Sequence, residues 1–265
     1  MSLLAVYTLW RRELVRFFRQ PSRIAGAAGS PLIFWLLIGS GLSGSFRLPG
    51  GPAGVSFLEY FFPGTIVLVL LFAAIFSTIS VIEDRGQGFL QGVLVAPVPR
   101  AAVVAGKVLG GATIAWLQGI LFLALAPLSG IPLTPASALA SAGVLALLAI
   151  VLTAIGFGFA WKVDSVQGFH AVMNLILVPM WLLSGAFFPL SSAPGWLAAL
   201  MRVNPLTYGV ASLRWALYGR SAAVGPGLPG PALALAITVV MGLIAFAADL
   251  AITRDGRDGR DGRVA

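Results

Sequence analysis

Six long apolar stretches alternate with short polar segments along the chain. Each stretch is about twenty residues long, the length of helix that crosses a hydrocarbon core about 30 Å thick. The pattern therefore predicts an all-α polytopic membrane protein whose six-span transmembrane domain covers residues 24–252. The predicted spans are Ile24 to Gly44, Tyr60 to Ile82, Val103 to Ala126, Ser137 to Trp161, Phe169 to Leu190 and Pro231 to Ile252.

Residues 1–23, which precede the first span, carry apolar and basic side chains in roughly helical order. The pattern predicts an N-terminal amphipathic helix that lies in the membrane interface. A basic flank that only orients the first span is the alternative. A cleaved signal peptide is disfavoured, because the apolar stretch is longer than the core of a usual signal. The alternating residues are Leu3, Leu4, Tyr7, Leu14, Phe17 and Phe18 with Arg11, Arg12, Arg16 and Arg19.

Residues 190–230, between the last two spans, are too apolar for a free external loop and are interrupted at Pro194 and Asn204-Pro205. Irregular backbone at membrane depth must be covered by protein or by a wet cavity. We therefore predict outer re-entrant helices over residues 191–219, packed against the spans at the Asn204-Pro205 break. A helix pair held at the membrane surface by its aromatic side chains is the alternative.

The C-terminal segment, residues 253–265, repeats Arg-Asp-Gly three times. Alternating charges with a glycine in every triplet favour disorder. We predict a disordered cytoplasmic tail.

Composition and charge narrow the class of protein further. Hydrophobic residues make up 58% of the chain and charged residues 10%, which is too apolar for a soluble domain. The net charge of +8 does not indicate a nucleic-acid partner, because the arginines flank the spans instead of forming one basic face. Without cysteine and with a single histidine, the chain offers no thiolate or imidazole cluster for a metal or for catalysis.

The distribution of Lys and Arg predicts the orientation in the membrane. With the N-terminus inside, 13 of the 17 Lys and Arg residues are cytoplasmic, as the positive-inside rule requires. Six spans place both ends on one side. We therefore expect a multi-pass protein of the cytoplasmic membrane with both termini cytoplasmic.

The segment between the second and third spans, residues 83–100, contains a short amphipathic helix pattern. Phe89, Leu90, Val93 and Leu94 share one helical face, and prolines follow. A short helix with an apolar face suits a groove on a soluble partner. A helix lying on the inner leaflet is an equal alternative on periodicity alone.

The run from Glu83 to Arg100 resembles the cytoplasmic coupling-helix signature of type-2 ATP-binding-cassette exporter permeases, the family of the daunorubicin-resistance and nodulation-factor membrane subunits. Two further stretches agree, in order, so that the resemblance covers essentially the whole chain. Arg12-Glu13 with Arg19-Gln20-Pro21 fits the N-terminus of that family. Residues 184–190 and an outer re-entrant motif resemble its fifth span and outer helices; the motif residues are Asn204, Pro205, Tyr208 and Arg214.

The resemblance implies a permease subunit that pairs with a second copy of itself or with a paralogous permease. It also implies two ABC ATPase subunits per complex, one docked on each protomer. The chain itself lacks a glycine-rich phosphate loop, so we expect no cofactor on it, with ATP and magnesium bound by the partner ATPase. The implied docking residues are Glu83, Asp84, Arg85, Phe89, Leu90, Val93, Leu94 and Arg100.

This sequence departs from the pattern of that family at three positions. Gly86, Gln91 and Ala211 stand where relatives often carry acidic residues. Acidic contacts at those positions therefore do not transfer to this chain.

Polar residues within or near the spans are few. Gln118 and Asn174 lie deepest, where an amide serves interhelical hydrogen bonding or a substrate pathway. Lys107, His170 and Asp249 lie near the cytoplasmic boundary, where snorkelling or local pairing accounts for them. No acidic residue is predicted at mid-span, which disfavours proton-coupled transport.

The primary hypothesis is an exporter subunit, driven by a separate ATPase, for an amphipathic substrate such as a drug, a lipid or a lipid-linked glycan. A non-transporting membrane anchor or assembly subunit is the alternative. A membrane-embedded enzyme is less favoured, because the sequence shows no convergent catalytic groups.

Overall fold

The computed structural model describes residues 3–42, 55–219 and 227–255. Every regular element among these residues is helical, which confirms the all-α prediction. Short turns of tighter or wider helix lie at Ala126–Ser129, Leu182–Ala186 and Leu190–Ser192. The α-helices are α1 (Leu3–Phe18), α2 (Pro21–Leu42), α3 (Phe57–Gly86), α4 (Phe89–Val95), α5 (Arg100–Leu123), α6 (Pro135–Lys162), α7 (Val166–Trp181), α8 (Gly195–Val203), α9 (Pro205–Tyr218) and α10 (Pro231–Asp255).

Five of the described helices are long and apolar enough to cross a membrane: Phe57–Gly86, Arg100–Leu123, Pro135–Lys162, Val166–Ala186 and Pro231–Arg254. They coincide with the second to sixth predicted spans. The first predicted span corresponds to α2, whose apolar part, Gly29–Leu42, is shorter than these five candidate spans. Its predicted end at Gly44 lies outside the described residues.

Three predicted boundaries differ from the structure. The predicted N-terminal helix divides at Gln20, because Pro21 has no amide hydrogen to continue α1 and instead begins α2. The predicted fifth span ends early, at Ala186, because Gly185 adopts a φ of +78° that breaks the helix. Residues 253–255 of the predicted tail are the last turn of α10, and the rest of the tail lies outside the described residues.

Helix α3 occupies the centre of the bundle. In its most apolar window 89% of the residues are buried, so its sequence is apolar on all sides. It packs on α2, α5, α6 and α7. Aromatic rings close the core at its first turns, where Phe62 packs against Trp35 of α2 and Phe122 of α5.

Helix α1 packs on α5 through two glycines one turn apart. A Cβ on Gly106 would lie 2.7 Å from the Cβ of Leu9, and one on Gly110 would lie 2.7 Å from the Cβ of Glu13. The indole Nε1 of Trp10 donates to Thr113 Oγ1 at 3.0 Å and fixes the register. The close helix contact expected from Gly106-x-x-x-Gly110 is therefore made with α1.

Replacing Gly110 with alanine tests this contact. Because the new methyl group must displace Glu13, we expect Gly110→Ala to lower the free energy of unfolding in detergent by about 1–3 kcal/mol. Gly29→Ala is the matched control, since a Cβ there meets nothing within 4 Å. Equal effects of the two substitutions would contradict a close contact between α1 and α5.

Candidate functional site

The connection between α3 and α5, residues 87–99, is a short helix between two turns. Gly88 precedes α4 with a φ of +76°, a conformation that residues with a Cβ rarely adopt. Helix α4 has seven residues and ends at Val95, just before Ala96 and Pro97. A helix of this length is not stable alone, so its conformation depends on packing against the rest of the chain.

The apolar face of α4 points into the protein. Leu90 is only 3% exposed and belongs to a cluster with Leu9 of α1 and Val103 of α5. Phe89, Val93 and Leu94 pack against that cluster. The guanidinium carbon of Arg12 lies 3.7 Å from the centroid of the Phe89 ring, a cation–π contact. The apolar face assigned to a partner from the sequence is therefore largely covered by α1 and α5.

The opposite face of α4 is open to solvent. It consists of small and uncharged side chains, and Val95 at its end is 85% exposed. A groove of about 730 Å³ runs along α1 and reaches Gln87, just before α4; its lining includes the basic side chains Arg11, Arg12, Arg16 and Arg19. The exposed residues of this face, called the α4 outer face below, are Gln87, Gly88, Gln91, Gly92, Val95, Ala96 and Pro97.

Six charged side chains meet beneath α4, three positive and three negative. The carboxylate of Asp84 is completely buried and accepts from Arg12 at 2.6 and 2.7 Å and from Arg16 at 2.6 Å. Arg16 also donates to Glu83 at 2.6 Å. We call this group the charge cluster: Arg12, Glu13 and Arg16 of α1, Glu83 and Asp84 of α3, and Lys107 of α5.

Lys107 is the buried centre of the charge cluster. Its ammonium group donates to Glu13 Oε1 at 2.6 Å and also binds Asp84 Oδ2, and its side chain is 2% exposed. The local pairing expected for Lys107 is thus confirmed. The side-chain hydrogen bond to Asp84 is the largest cause that raises the pKa of Arg12 above its usual value.

Two further arginines of the predicted docking segment bind backbone carbonyls of this chain. Arg85 donates to the carbonyl of Trp161 at 2.6 Å and to that of Val163, and lies 3.5 Å from the Asp164 carboxylate. Arg100 donates to the carbonyl of Thr253 at 2.7 Å. These carbonyls end α6 and α10, where positive charge is favourable.

These contacts revise the roles predicted for the charged residues of the segment. Asp84 is fully buried, and Arg85 and Arg100 are held by carbonyls, so these groups tie residues 83–100 to this chain's own helices. Their sequence positions were identified, but their partners were not. The α1 residues and Lys107 were not identified as site residues, although Lys107 between Gly106 and Gly110 signals a charged group at a close helix contact.

The outer re-entrant motif lies at the other end of the bundle, around the break in the fifth span. Asn204 Nδ2 donates to the carbonyl of Met180 at 2.6 Å, and Asn204 Oδ1 accepts from the Leu206 amide, capping α9 at Pro205. The predicted packing of the Asn204-Pro205 break against the spans is confirmed. Tyr208 makes a local contact only, donating to the carbonyl of Arg202.

Arg214 supports the same break from inside. It is fully buried, donates to the carbonyls of Tyr60 at 2.9 Å and Gly185 at 3.2 Å, and lies 4.0 Å from the centroid of the Tyr60 ring. The Tyr60 hydroxyl also donates to the Gly185 carbonyl at 2.8 Å. Side chains of α3 and α9 therefore bind the carbonyls released where the helix breaks.

The two deep amides differ in environment. Gln118 is buried, and neither its Nε2 nor its Oε1 has a partner among the described residues, so the expected interhelical hydrogen bond is not made. Asn174 is exposed on α7, beside Leu175, which is 77% exposed. Among the described residues, no group of three or more His, Cys, Asp or Glu side chains could hold a metal ion.

Removing the ammonium group of Lys107 tests the charge cluster. Lys107→Met removes the closest cation of the buried Glu13, which keeps only the longer contact to Arg12 at 3.4 Å, and we expect a loss of about 3–5 kcal/mol in the free energy of unfolding. Adding Glu13→Gln removes the stranded charge and restores part of the loss. Lys162→Met, at an exposed lysine of α6, is the control, and a matching loss there would refute the assignment.

A change of one atom tests the outer motif. Asn204→Asp keeps the oxygen that caps α9 but replaces the donor to the Met180 carbonyl with a second acceptor. We expect a loss of about 1–3 kcal/mol, measured by unfolding in detergent. Ser165→Asp, at the exposed cap of α7, is the control that introduces the same carboxylate without facing a carbonyl. Unchanged stability of Asn204→Asp would show that this hydrogen bond is dispensable.

The regions that match known proteins include both the charge cluster and the outer motif. A family model described as ABC-2 type transporter matches residues 5–218, which include most of α1, the charge cluster and the outer motif. The inner membrane transport permease YadH of Escherichia coli (strain K12) is 28% identical over 81% of this chain and 83% of its own length.

Two further relatives carry names that refer to a biological role. Nodulation protein J of Rhizobium meliloti (strain 1021) is 26% identical, over 80% of each chain. The daunorubicin resistance ABC transporter permease protein DrrB1 of Streptomyces coeruleorubidus is 24% identical, over 91% of this chain and 82% of its own. With its multiple apolar helices and a family match over most of its length, the chain is a multi-pass membrane protein that belongs to the ABC-2 type transporter family of transport permeases.

Proposed function

We propose that this chain is the membrane subunit of an ABC exporter and that the α4 outer face receives the ATPase subunit. The observation that carries the proposal is the attachment of α4. Its inner face is tied to α1 and α5 by apolar packing, and the adjoining arginines bind the ends of α6 and α10. A force applied to the outer face thus reaches these four helices through short contacts.

The chemistry of this surface indicates what its partner offers. The α4 outer face is small and uncharged, which permits close approach, and the charges lining the groove beside it are basic. We therefore expect the ATPase to place a shallow groove over α4 and acidic side chains near Arg11 and Arg19. Glu83, Asp84, Arg85 and Arg100 act by holding α4 in position, while Phe89, Leu90, Val93 and Leu94 form its inner packing.

The proposed subunit has six spans, with α2 as the first and both termini cytoplasmic. Helix α2 has 22 residues, enough to cross the hydrocarbon core. In this arrangement α4 and the charge cluster lie on the cytoplasmic side, α1 lies in the inner interface, and α8 and α9 enter the outer leaflet. The exposed side chains of Leu3, Leu4, Tyr7 and Phe18 support contact between α1 and lipid.

Exposure on α7 supports a paired subunit, identical or paralogous. An amide that faces hydrocarbon is costly, and Asn174 forms no hydrogen bond with any described residue. We propose that a second permease subunit or the wet translocation pathway covers this face of α7. Two permeases and two ATPases then form the transporter.

The substrate class follows from the scarcity of charge among the spans. An apolar, aromatic-rich interior suits an amphipathic cargo, such as a drug, a lipid or a lipid-linked glycan, better than a small ion. Closure of the ATPase pair on ATP would move α4 and the attached helices, and so drive the substrate outward. A non-transporting anchor for a soluble partner could use the same α4 outer face and is the competing function.

Substituting one exposed glutamine tests the docking surface. Gln91→Trp places a bulky ring on the α4 outer face, and we expect the ATPase to be lost when the complex is purified, together with ATP-driven export by vesicles. Gln167→Trp, an exposed glutamine on the first turn of α7, should retain both. Retention of the ATPase by the Gln91 variant would contradict docking at α4. Docking without any ATP-driven export by the wild type would favour the anchor.

A further inference from the structure

A buried carboxylate without a partner lies in a groove between α6 and α10. Asp249 is 1% exposed, and its Oδ2 atom has no hydrogen-bond partner among the described residues. Burying an ionised or polar group unpaired costs several kcal/mol, so such a group is a functional-site candidate in a membrane span. The charge cluster does not include Asp249.

The groove is built to admit a small group beside this carboxylate. It has a volume of about 270 Å³ and is apolar except for Asp249 and Lys162. Gly158 of α6 makes room for the carboxylate at the wall of the groove, because a Cβ there would lie 2.8 Å from Asp249 Oδ1. Ile155, Phe159 and Ala245 form the apolar wall.

The position of the groove identifies its environment. Helix α10 is the least enclosed of the candidate spans, with 11% of its most apolar window buried. The groove therefore opens on the outside of this subunit, toward lipid. Its polar residues lie near the ends of α6 and α10 that Arg85 and Arg100 bind, and hence at the level where a bilayer changes from hydrocarbon to headgroups.

We propose that this groove binds a phospholipid with a primary-ammonium headgroup, of the phosphatidylethanolamine type. The ammonium group enters the groove and donates to the Asp249 carboxylate, while the exposed Lys162 at the rim binds the phosphate. The apolar wall receives the first methylenes of the lipid. Opposite charges on the headgroup thus match opposite charges on the protein.

Other occupants fit less well. A divalent cation needs several oxygen ligands, and the groove supplies one carboxylate. A quaternary ammonium group carries the charge but has no N–H to donate, so a choline headgroup leaves the Asp249 carboxylate without a hydrogen bond. An anionic phosphatidylglycerol headgroup can pair with Lys162, but the Asp249 carboxylate repels its negative charge.

The N–H requirement makes a test that needs no variant. Native mass spectrometry of the detergent-purified full chain is titrated with phosphatidylethanolamine, its N-methyl and N,N-dimethyl derivatives, and phosphatidylcholine of the same acyl chains. We expect one molecule of phosphatidylethanolamine to bind about tenfold more tightly than phosphatidylcholine. The affinity should fall at the last methylation, because that step removes the last N–H. Equal affinities, or a preference for phosphatidylglycerol, would overturn the proposal.

Variants then locate the lipid. Asp249→Asn should remove the preference for phosphatidylethanolamine, and Gly158→Ala should weaken it by displacing the carboxylate. Gly143→Ala, at an exposed glycine of the same helix where a Cβ meets nothing within 4 Å, should bind as the wild type. A preference that persists in Asp249→Asn would place the lipid elsewhere. These outcomes are independent of ATPase docking, so failure here leaves the transport proposal standing.

Discussion

A carboxylate and an ammonium group that are both cut off from water tolerate few arrangements, because losing either partner strands a charge in a medium of low dielectric. Asp84 and Lys107 are such a pair, and Arg12, Glu13 and Arg16 complete their coordination from α1. The relative positions of α1, α3 and α5 are therefore fixed where α4 leaves the bundle. Helix α4 therefore packs on helices whose positions are fixed, because each buried charge must keep its partner.

The other end of the bundle obeys the same constraint with backbone groups in place of charges. A span that breaks at Gly185 releases carbonyls that water cannot reach, and each needs a donor. Asn204, Tyr60 and Arg214 supply those donors from α9 and α3. The apolar outer segment is thus part of the fold, since its polar side chains complete the hydrogen bonding of a neighbouring span.

Hydrophobic pattern predicted the elements well, because span length and helical periodicity are local properties of the sequence. It located α4 and identified its apolar face, but it left a partner's groove and the inner leaflet as equal alternatives for what that face contacts. Periodicity shows that a face is apolar without showing what covers it, and Leu9 of α1 covers Leu90. The ion pairs were missed for a related reason: Asp84 and Lys107 are 23 residues apart, and only the folded bundle brings them to Arg12. The helix break at Gly185 and the unpaired side-chain amide of Gln118 likewise depend on tertiary packing.

The distribution of these contacts also separates the helices that move with α4 from those that need not. The described polar contacts at the base join α4 and its flanks to α1, α3, α5 and the ends of α6 and α10, and none of them reaches α2 or α7. Packed elements respond to a load as rigid bodies, with displacement confined to the less constrained interfaces. A load on α4 therefore reaches this group through polar contacts, whereas it reaches α2 and α7 through their apolar and aromatic packing on α3. The exposed Asn174 lies on α7, outside the group of helices that the polar contacts of α4 and its flanks hold directly.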